Sequence, residues 1–211
     1  QILSNNKDEN LTEKQIQSAS TIHSSGEDLL NLINDILDLS KIESGRIEIM
    51  TEDVEIKDIG EDLNRIFKDI SEQKQVGFNI NVDPAAPRTI QTDHLRLQQI
   101  LRNLLTNAFK FTKEGAVDLI ISRPAVDIVV GTDLKIDTSV AFAVRDDGIG
   151  IPEDKQAVIF EAFQQADGSN SRKYGGTGLG LSISRELAKL LGGFIHLESS
   201  VDQGSTRSEE R

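Results

Sequence analysis

A two-track heptad repeat runs through residues 12–43 and limits what this part of the chain can form. Ile22, Leu29 and Ile36 recur every seven residues. A second track of small or apolar residues follows the same period, at Ala19, Gly26, Ile33 and Ser40. Two tracks with this spacing predict one long amphipathic helix whose seam packs against another helix, as in a bundle or a coiled coil.

The residues at either end of this repeat predict where the helix begins and ends. Thr12 is a typical N-cap residue, and Gly45 is expected to end the helix. One helix cannot bury such a stripe alone, so we expect a partner helix. The alternative is that the helix packs on its own domain.

After Gly45 the apolar pattern changes to shorter segments. Alternation predicts β-strands over residues 46–50, 76–82, 116–122, 140–144 and 194–199. Helical spacing predicts helices over 56–70, 93–111 and 179–191, and one that opens at Pro152, with Thr92 as the N-cap of the second helix. This part is therefore predicted to be an α+β domain, a mixed α/β sandwich that follows the N-terminal helix.

Charge and composition exclude several classes of protein. A formal net charge of −12 argues against non-specific nucleic-acid binding, and any bound polyphosphate must be neutralised locally by a cation and a few basic groups. There is no cysteine, so disulfides and thiolate metal sites are excluded. No apolar run approaches the roughly 20 residues of a membrane span, so we expect a cytoplasmic protein without direct membrane contact in this part.

The helix predicted over 93–111 carries a polar face. Asn103, Asn107 and Lys110 lie at i, i+4 and i+7 and therefore share that face. An amide oxygen is a suitable ligand for Mg²⁺, and a lysine one turn away can meet a phosphate as a point charge. The alternative is a solvated polar face, which this segment taken alone favours.

Two glycine-containing segments add to this pattern. Residues 146–150, DDGIG, follow an apolar strand; their glycines permit a tight turn, and a carboxylate there can accept from an exocyclic amine such as that of adenine. Residues 175–180, GGTGLG, lead into a helix whose free N–H groups can cradle phosphate, with Arg172 and Lys173 in reach of outer phosphates. The alternatives are an ordinary turn, a loop without ligand and plain surface charge.

Together with residues 160–163, FEAF, these segments resemble the N, G1, F and G2 boxes of the histidine-kinase catalytic domain, within the GHKL ATPase superfamily. Residues 21–26, TIHSSG, and 32–45, LINDILDLSKIESG, resemble the second helix of that family's dimerisation domain, especially in hybrid-type kinases. The chaperone, mismatch-repair and topoisomerase branches of the superfamily are expected to carry a glutamate general base where this chain has Asn103.

The resemblance implies a domain organisation. Residues 47–211 would form a two-layer α/β sandwich of the Bergerat (GHKL) type that binds ATP, with an ATP lid at about 161–176. Residues 1–46 would be the remnant of a dimerisation hairpin, mostly its second helix over 12–43.

The resemblance also implies ATP and Mg²⁺ as cofactors. Asn107 would ligate Mg²⁺, Asp146 would bind the adenine amino group, and catalysis would rest on Asn103, Lys110 and Arg172. The nucleotide-binding positions that it implies are, in chain order, Asn103, Asn107, Lys110, Asp146, Gly148, Gly150, Phe160, Arg172, Gly176, Thr177, Gly178, Leu179 and Gly180.

The implied activity is transfer of the γ-phosphoryl group of ATP to a histidine on the dimerisation domain, in a homodimer formed through the N-terminal helix. The phosphoryl group would then pass to an aspartate on a response-regulator receiver domain. His23, His94 and His196 all lack the acceptor context of the family. We therefore expect the acceptor helix to be missing and this chain alone to be unable to autophosphorylate.

Two other functions are compatible with the same residues: a non-catalytic dimerisation scaffold with a degenerate pocket, and a GHKL ATPase clamp. This chain could be the cytoplasmic part of a membrane-bound sensor. Residues 207–211 are charged where the family continues with an apolar strand. We therefore expect this segment to be strand-poor, either because the terminal strand is truncated or because a segment is missing there.

Overall fold

A computed structural model describes residues 10–124, 139–164, 177–201 and 204–210. The chain divides into two compact units, with the boundary between Gly45 and Arg46. Within the described residues, no helix is both long and apolar enough to span a membrane.

The first unit contains one long helix, α1, Glu13–Glu43. Thr12 caps it through a reciprocal pair of hydrogen bonds: its Oγ1 accepts from the Gln15 N–H, and its own N–H donates to Gln15 Oε1 at 2.9 Å. The predicted helix and its N-cap are confirmed. The heptad stripe is exposed on this unit, with Ile22 at 74% and Leu29 at 57% of full exposure.

In its described residues, the second unit combines seven strands with helices. The helices are α2 (Ile56–Lys74), α3 (His94–Phe111), the short α4 (Glu153–Gln156), a 3₁₀ turn at Val158–Phe160 and α5 (Gly180–Leu190). The strands are β1 (Glu52–Glu55), β2 (Gly77–Val82), β3 (Thr89–Thr92), β4 (Ala116–Ser122), β5 (Ala141–Asp146), β6 (Phe194–Ser199) and β7 (Ser205–Glu210).

Five strands form one mixed sheet in the order β2-β4-β5-β7-β6, in which β2 and β4 are parallel and the other neighbours antiparallel. β1 and β3 form a separate antiparallel pair. α2 packs on β2, α3 on β5 and α5 on β6, and α3 also packs against α5. The predicted α+β class, a sheet layer covered by a helical layer, is confirmed.

The core is aliphatic around a cluster of three aromatic rings. Phe67 of α2 stacks on Phe109 of α3 with ring centroids 5.5 Å apart, and Phe78 of β2 meets Phe109 edge-on at 5.5 Å. Lys74 Nζ donates to the backbone oxygen of Phe109 at 2.7 Å, close to the C-terminal end of α3. This cluster fixes α3, the helix with the candidate polar face, against the sheet.

Three local predictions were wrong. Residues 46–50 form no strand; the strand begins at Glu52 and pairs with β3, which was not predicted. The N-cap of α3 is Asp93 rather than Thr92, because the Asp93 carboxylate accepts from the Arg96 N–H at 3.1 Å and from the Met50 N–H at 3.0 Å. Pro152 precedes α4 as its cap instead of lying in the first turn.

The prediction for the C-terminal segment was also wrong. Residues 205–210 are not strand-poor; they form β7, a central strand that pairs with both β5 and β6. Pairing on both edges supplies the stability that charged side chains do not. A strand in this position is defined by its neighbours in the sheet rather than by its own apolar content.

Candidate functional site

The polar face of α3 lies beside the start of α5. Asn103, Asn107 and Lys110 are all half-buried, while the opposite face of α3 is fully buried. The Asn103 side-chain nitrogen donates to the Gly180 carbonyl oxygen at 3.2 Å and to Ser184 Oγ at 3.3 Å. The structure thus brings the first predicted motif into direct contact with the last one.

Lys110 is partly withdrawn from water. Burial lowers its pKa below the ordinary value for lysine. Its Nζ lies 5.0 Å from the centroid of the Phe111 ring, at cation–π distance. A half-buried ammonium group with a lowered pKa gains charge stabilisation when an anion arrives, which is the chemistry expected at a phosphate contact.

Asp146 ends β5 and is almost completely buried. One carboxylate oxygen accepts from the Gly148 N–H at 3.0 Å, and the other accepts from Arg207 Nη1 at 3.0 Å. The side chains of Asp146 and Arg207 are only 3% and 5% exposed. Burial raises the pKa of Asp146, and the charge of Arg207 and the hydrogen bonds to the carboxylate oppose that rise.

The two glycines after Asp146 are required by close approaches of the backbone. A Cβ on Gly148 would lie 3.0 Å from the Phe111 carbonyl oxygen, at the end of α3. Gly150 has a φ of +67°, and a Cβ there would lie 2.0 Å from the carbonyl oxygen of Ser200. The loop is therefore held between α3 and the β6–β7 turn, and both glycines shape it.

Phe160 is buried with Ile151 and Ile159, against Leu181 and side chains of β6. Phe163, three residues on, is 63% exposed and has a left-handed φ of 64°. Its N–H donates to the Gly178 carbonyl oxygen at 3.2 Å, which joins the two described ends of the predicted lid. Most of that lid, with Arg172 and Gly176, lies outside the described residues.

The start of α5 completes the candidate site. Thr177 Oγ1 accepts from the Leu179 N–H at 3.2 Å, Leu179 is fully buried, and Gly178 has a φ of +71°. A Cβ on Gly180 would lie 3.6 Å from the Asn103 side chain, so the first turn of α5 is close to the polar face of α3. Free N–H groups at this helix start can bind phosphate.

Two residues of this region were not identified from the sequence. Ser184 is fully buried on α5, and its Oγ accepts a hydrogen bond from the Asn103 side chain. Arg207 faces inward from β7 and pairs with Asp146. Ser184 follows Gly180 by one helical turn, and that spacing could have indicated a shared face. Arg207 could have been recognised as an inward-facing residue only if residues 205–210 had been predicted to form a strand.

Family models match both parts of the chain. Residues 92–208 match the family described as histidine kinase-, DNA gyrase B- and HSP90-like ATPase. Residues 1–45 match the His Kinase A (phospho-acceptor) domain. The family match, together with the five-stranded mixed sheet, its helical layer and the glycine-containing loops beside the polar face of α3, defines a protein of the GHKL ATPase class.

Individual proteins narrow this class. The chain is 38% identical over 196 residues to the signal transduction histidine-protein kinase BarA of Escherichia coli K12. The aligned region covers 93% of this chain and 21% of BarA. It is 42% identical over 203 residues to the circadian input-output histidine kinase CikA of Synechococcus elongatus. This aligned region covers 93% of the chain and 25% of CikA. The chain belongs to the histidine kinase family.

Solved structures agree with this assignment. Full-length ShkA in complex with AMPPNP has a TM-score of 0.77 and 32% identity, over 99% of this chain and 40% of ShkA. The complex of histidine kinase ThkA with the response regulator protein TrrA shares the fold, with a TM-score of 0.65 and 22% identity. The chain spans about a fifth to a quarter of the length of its curated relatives BarA and CikA.

Proposed function

We propose that this chain is the catalytic core of a two-component histidine kinase that binds Mg·ATP and transfers its γ-phosphoryl group to a histidine. The observation that carries the proposal is the contact between Asn103 and Gly180. It brings the polar face of α3, where a metal and phosphates would bind, against the helix start that would bind phosphate.

The proposed roles follow from chemistry at each position. Asn107 would offer an amide oxygen to Mg²⁺, and Lys110 a cation to phosphate. The N–H groups around Gly178 and Gly180 would cradle the polyphosphate. Asp146 would accept from the exocyclic amine of adenine, while Gly148 and Gly150 let the loop lie close to the base.

Catalysis in such a site rests on positioning and charge stabilisation. Bound Mg²⁺ supplies neutralisation of phosphate charge. The chain's own residues hold the nucleotide by both ends, at Asp146 and at Lys110, so that the γ-phosphoryl group is presented in a fixed place. We propose that Arg172, which lies outside the described residues, adds charge near that group, as the resemblance implies.

The acceptor and the partners belong to the same proposal. We infer that residues 1–46 contribute to a dimerisation domain, because the exposed stripe of α1 needs a second helix to cover it. Residues 47–211 would act on an acceptor histidine in that dimer. We further propose onward transfer to a receiver aspartate of a response regulator, as the resemblance implies.

A calorimetric titration tests the nucleotide site. A non-hydrolysable ATP analogue is titrated into the wild type, Asn107→Ala and Thr106→Ala, each with and without Mg²⁺. We expect Mg²⁺-dependent binding to the wild type and to Thr106→Ala, whose side chain is exposed on the same helix. Asn107→Ala should lose the dependence on Mg²⁺. A folded wild type that binds no nucleotide would overturn the proposal in favour of a dimerisation scaffold.

A further inference from the structure

Arg207 lies outside every motif used above, yet it contacts the residue assigned to the base. We propose that Arg207 is a positioning residue for nucleobase recognition, which fixes the Asp146 carboxylate and keeps it charged so that it can accept from the amine of adenine. This inference rests on the proposed nucleotide site and identifies how its base-binding end is maintained.

The position of Arg207 in the sheet is unusual for a cation. β7 lies between β5 and β6, and there Arg207 is directly opposite Val144 on one side and Leu197 on the other. Val144 is fully buried, and Arg207 itself is only 4% exposed. A guanidinium among aliphatic side chains is costly unless it is paired with an anion. The ion pair with Asp146 supplies that partner at 3.0 Å.

The pairing leaves Asp146 able to receive a ligand. A carboxylate has about four acceptor directions on its two oxygens. The Gly148 N–H takes one direction on Oδ1, Arg207 takes one on Oδ2, and the Ser205 N–H also acts on the carboxylate, so both oxygens have fixed partners and an acceptor direction remains for a ligand. An incoming amine therefore meets an acceptor that has already been placed and does not have to be ordered on binding.

The charge of Asp146 depends on the same contact. Burial raises the pKa of this carboxyl, and Arg207 opposes the rise, together with the backbone N–H groups of Gly148 and Ser205. Three other ionisable groups of this region are the exposed Arg145, which precedes Asp146 on β5, Asp147, whose carboxylate accepts from the Ala116 N–H at 2.9 Å, and Lys110 near the end of α3. Arg207 is in direct contact with the Asp146 carboxylate, through Nη1 and Oδ2 at 3.0 Å.

Removal of Arg207 should therefore make the affinity for the nucleotide depend on pH near the pKa of Asp146. In Arg207→Met the buried carboxyl takes up a proton at a higher pH than in the wild type, because its cation is gone. Protonation removes the charge assistance of the hydrogen bond to the adenine amine, which weakens binding by roughly tenfold. The loss should appear as the pH falls, and at a higher pH in the variant than in the wild type.

The experiment measures the affinity of the Mg²⁺-bound ATP analogue from acid to neutral pH. Arg207→Met is compared with Arg145→Met, which removes the same charge from an exposed position on β5, one residue before Asp146. We expect the affinity for the analogue to fall as the pH is lowered, and only in Arg207→Met should this fall begin at a higher pH than in the wild type. Arg207→Lys, which restores a cation, should move the profile back toward that of the wild type.

The inference and the proposed function fail in different ways. If the wild type does not bind the analogue, the nucleotide site is wrong. If the wild type binds and Asp146→Asn weakens binding, but Arg207→Met matches Arg145→Met at every pH, Arg207 has no role in recognition and the inference is overturned.

A second measurement needs no arginine variant, because truncation of one partner of a buried ion pair is strongly destabilising and can unfold the domain. The carboxyl carbon of Asp146 is followed by ¹³C NMR in the wild type across the same pH range, with Asp146→Asn to assign the signal. An ionised carboxylate at neutral pH, despite its burial, supports the inference. A carboxyl group that is protonated at neutral pH contradicts it.

Discussion

The side chain of Asn103 on α3 donates a hydrogen bond to the backbone oxygen of Gly180, the first residue of α5, across 3.2 Å. The two residues are 77 positions apart in the chain. A second hydrogen bond from the same nitrogen reaches Ser184 Oγ, so that Asn103 holds the first turn of α5 at two points. The residue to which the resemblance assigns a role in catalysis and nucleotide binding is thus also part of the packing between two helices.

Asn103→Ala should lower the free energy of unfolding by about 1–3 kcal/mol, since two hydrogen bonds are lost at about 0.5–1.5 kcal/mol each. Urea unfolding measures the effect. The same substitution at Asn81, which is exposed on β2, serves as the control and should change the free energy by less than about 0.5 kcal/mol. Equal effects of the two substitutions would show that the contact with α5 adds no stability.

Gly150→Ala should disrupt the loop after Asp146. The added Cβ would overlap the Ser200 oxygen at 2.0 Å, and φ is +67°. Gly192→Ala is the matched control, because its φ is also positive, at +83°, but nothing lies within 4 Å of the added atom. Backbone strain should lower the free energy of unfolding of the control by about 1–2 kcal/mol. The overlap at Gly150 should lower it by about 1–3 kcal/mol more. Thermal unfolding of both variants checks the difference, which should vanish if the loop can move away freely.

The affinity for the ATP analogue should fall at alkaline pH, because Lys110 loses its proton there. Burial lowers the pKa of this lysine, so its charge is lost at a lower pH than that of an ordinary lysine, which titrates near 10.4. Loss of the charged contact with phosphate should weaken binding by about tenfold or more. In Lys110→Arg the guanidinium remains charged, so the alkaline decrease should be absent. A decrease of the same size in both proteins would assign it to another group.

Leu29→Glu should weaken self-association of the chain by about a hundredfold or more, because an unpaired carboxylate would have to be buried in the helix–helix seam. Leu29 is exposed and lies on the heptad track with Ile22 and Ile36. Asn31→Glu adds the same charge on the opposite side of α1 and should leave association unchanged. Sedimentation equilibrium distinguishes them; a monomeric wild type would contradict a seam on α1 within this chain.

Much of the fold could be predicted from local periodicity. The helices α1, α3 and α5 and the strands β4 and β6 have apolar residues at the spacing that their burial requires, so their positions follow from the sequence within one or two residues. β3 was missed because it has only four residues and a single half-buried apolar side chain, Ile90. Its strand character comes from pairing with β1, which local pattern does not reveal.

The site shows the same division between local and distant information. The spacing of Asn103, Asn107 and Lys110 placed them on one face, and the structure agrees that all three are half-buried there. The sequence could not show that Asn103 reaches Gly180, or that Arg207 reaches Asp146 across 61 positions, because both contacts depend on how the sheet and helices assemble. Glycine at 150 was predicted for a tight turn, whereas the close passage of Ser200 is a further and separate reason for it.

The order of strands has a consequence for synthesis. Among the described strands, β6 is connected to the sheet only through β7, and β7 follows all the others in the chain. On the ribosome, β5 with Asp146 must therefore wait, beside an open edge, until the strand that joins it to β6 has left the exit tunnel. Arg207 arrives with that strand, so neither the joining of β6 to the sheet nor the pairing of the Asp146 carboxylate can precede the emergence of β7.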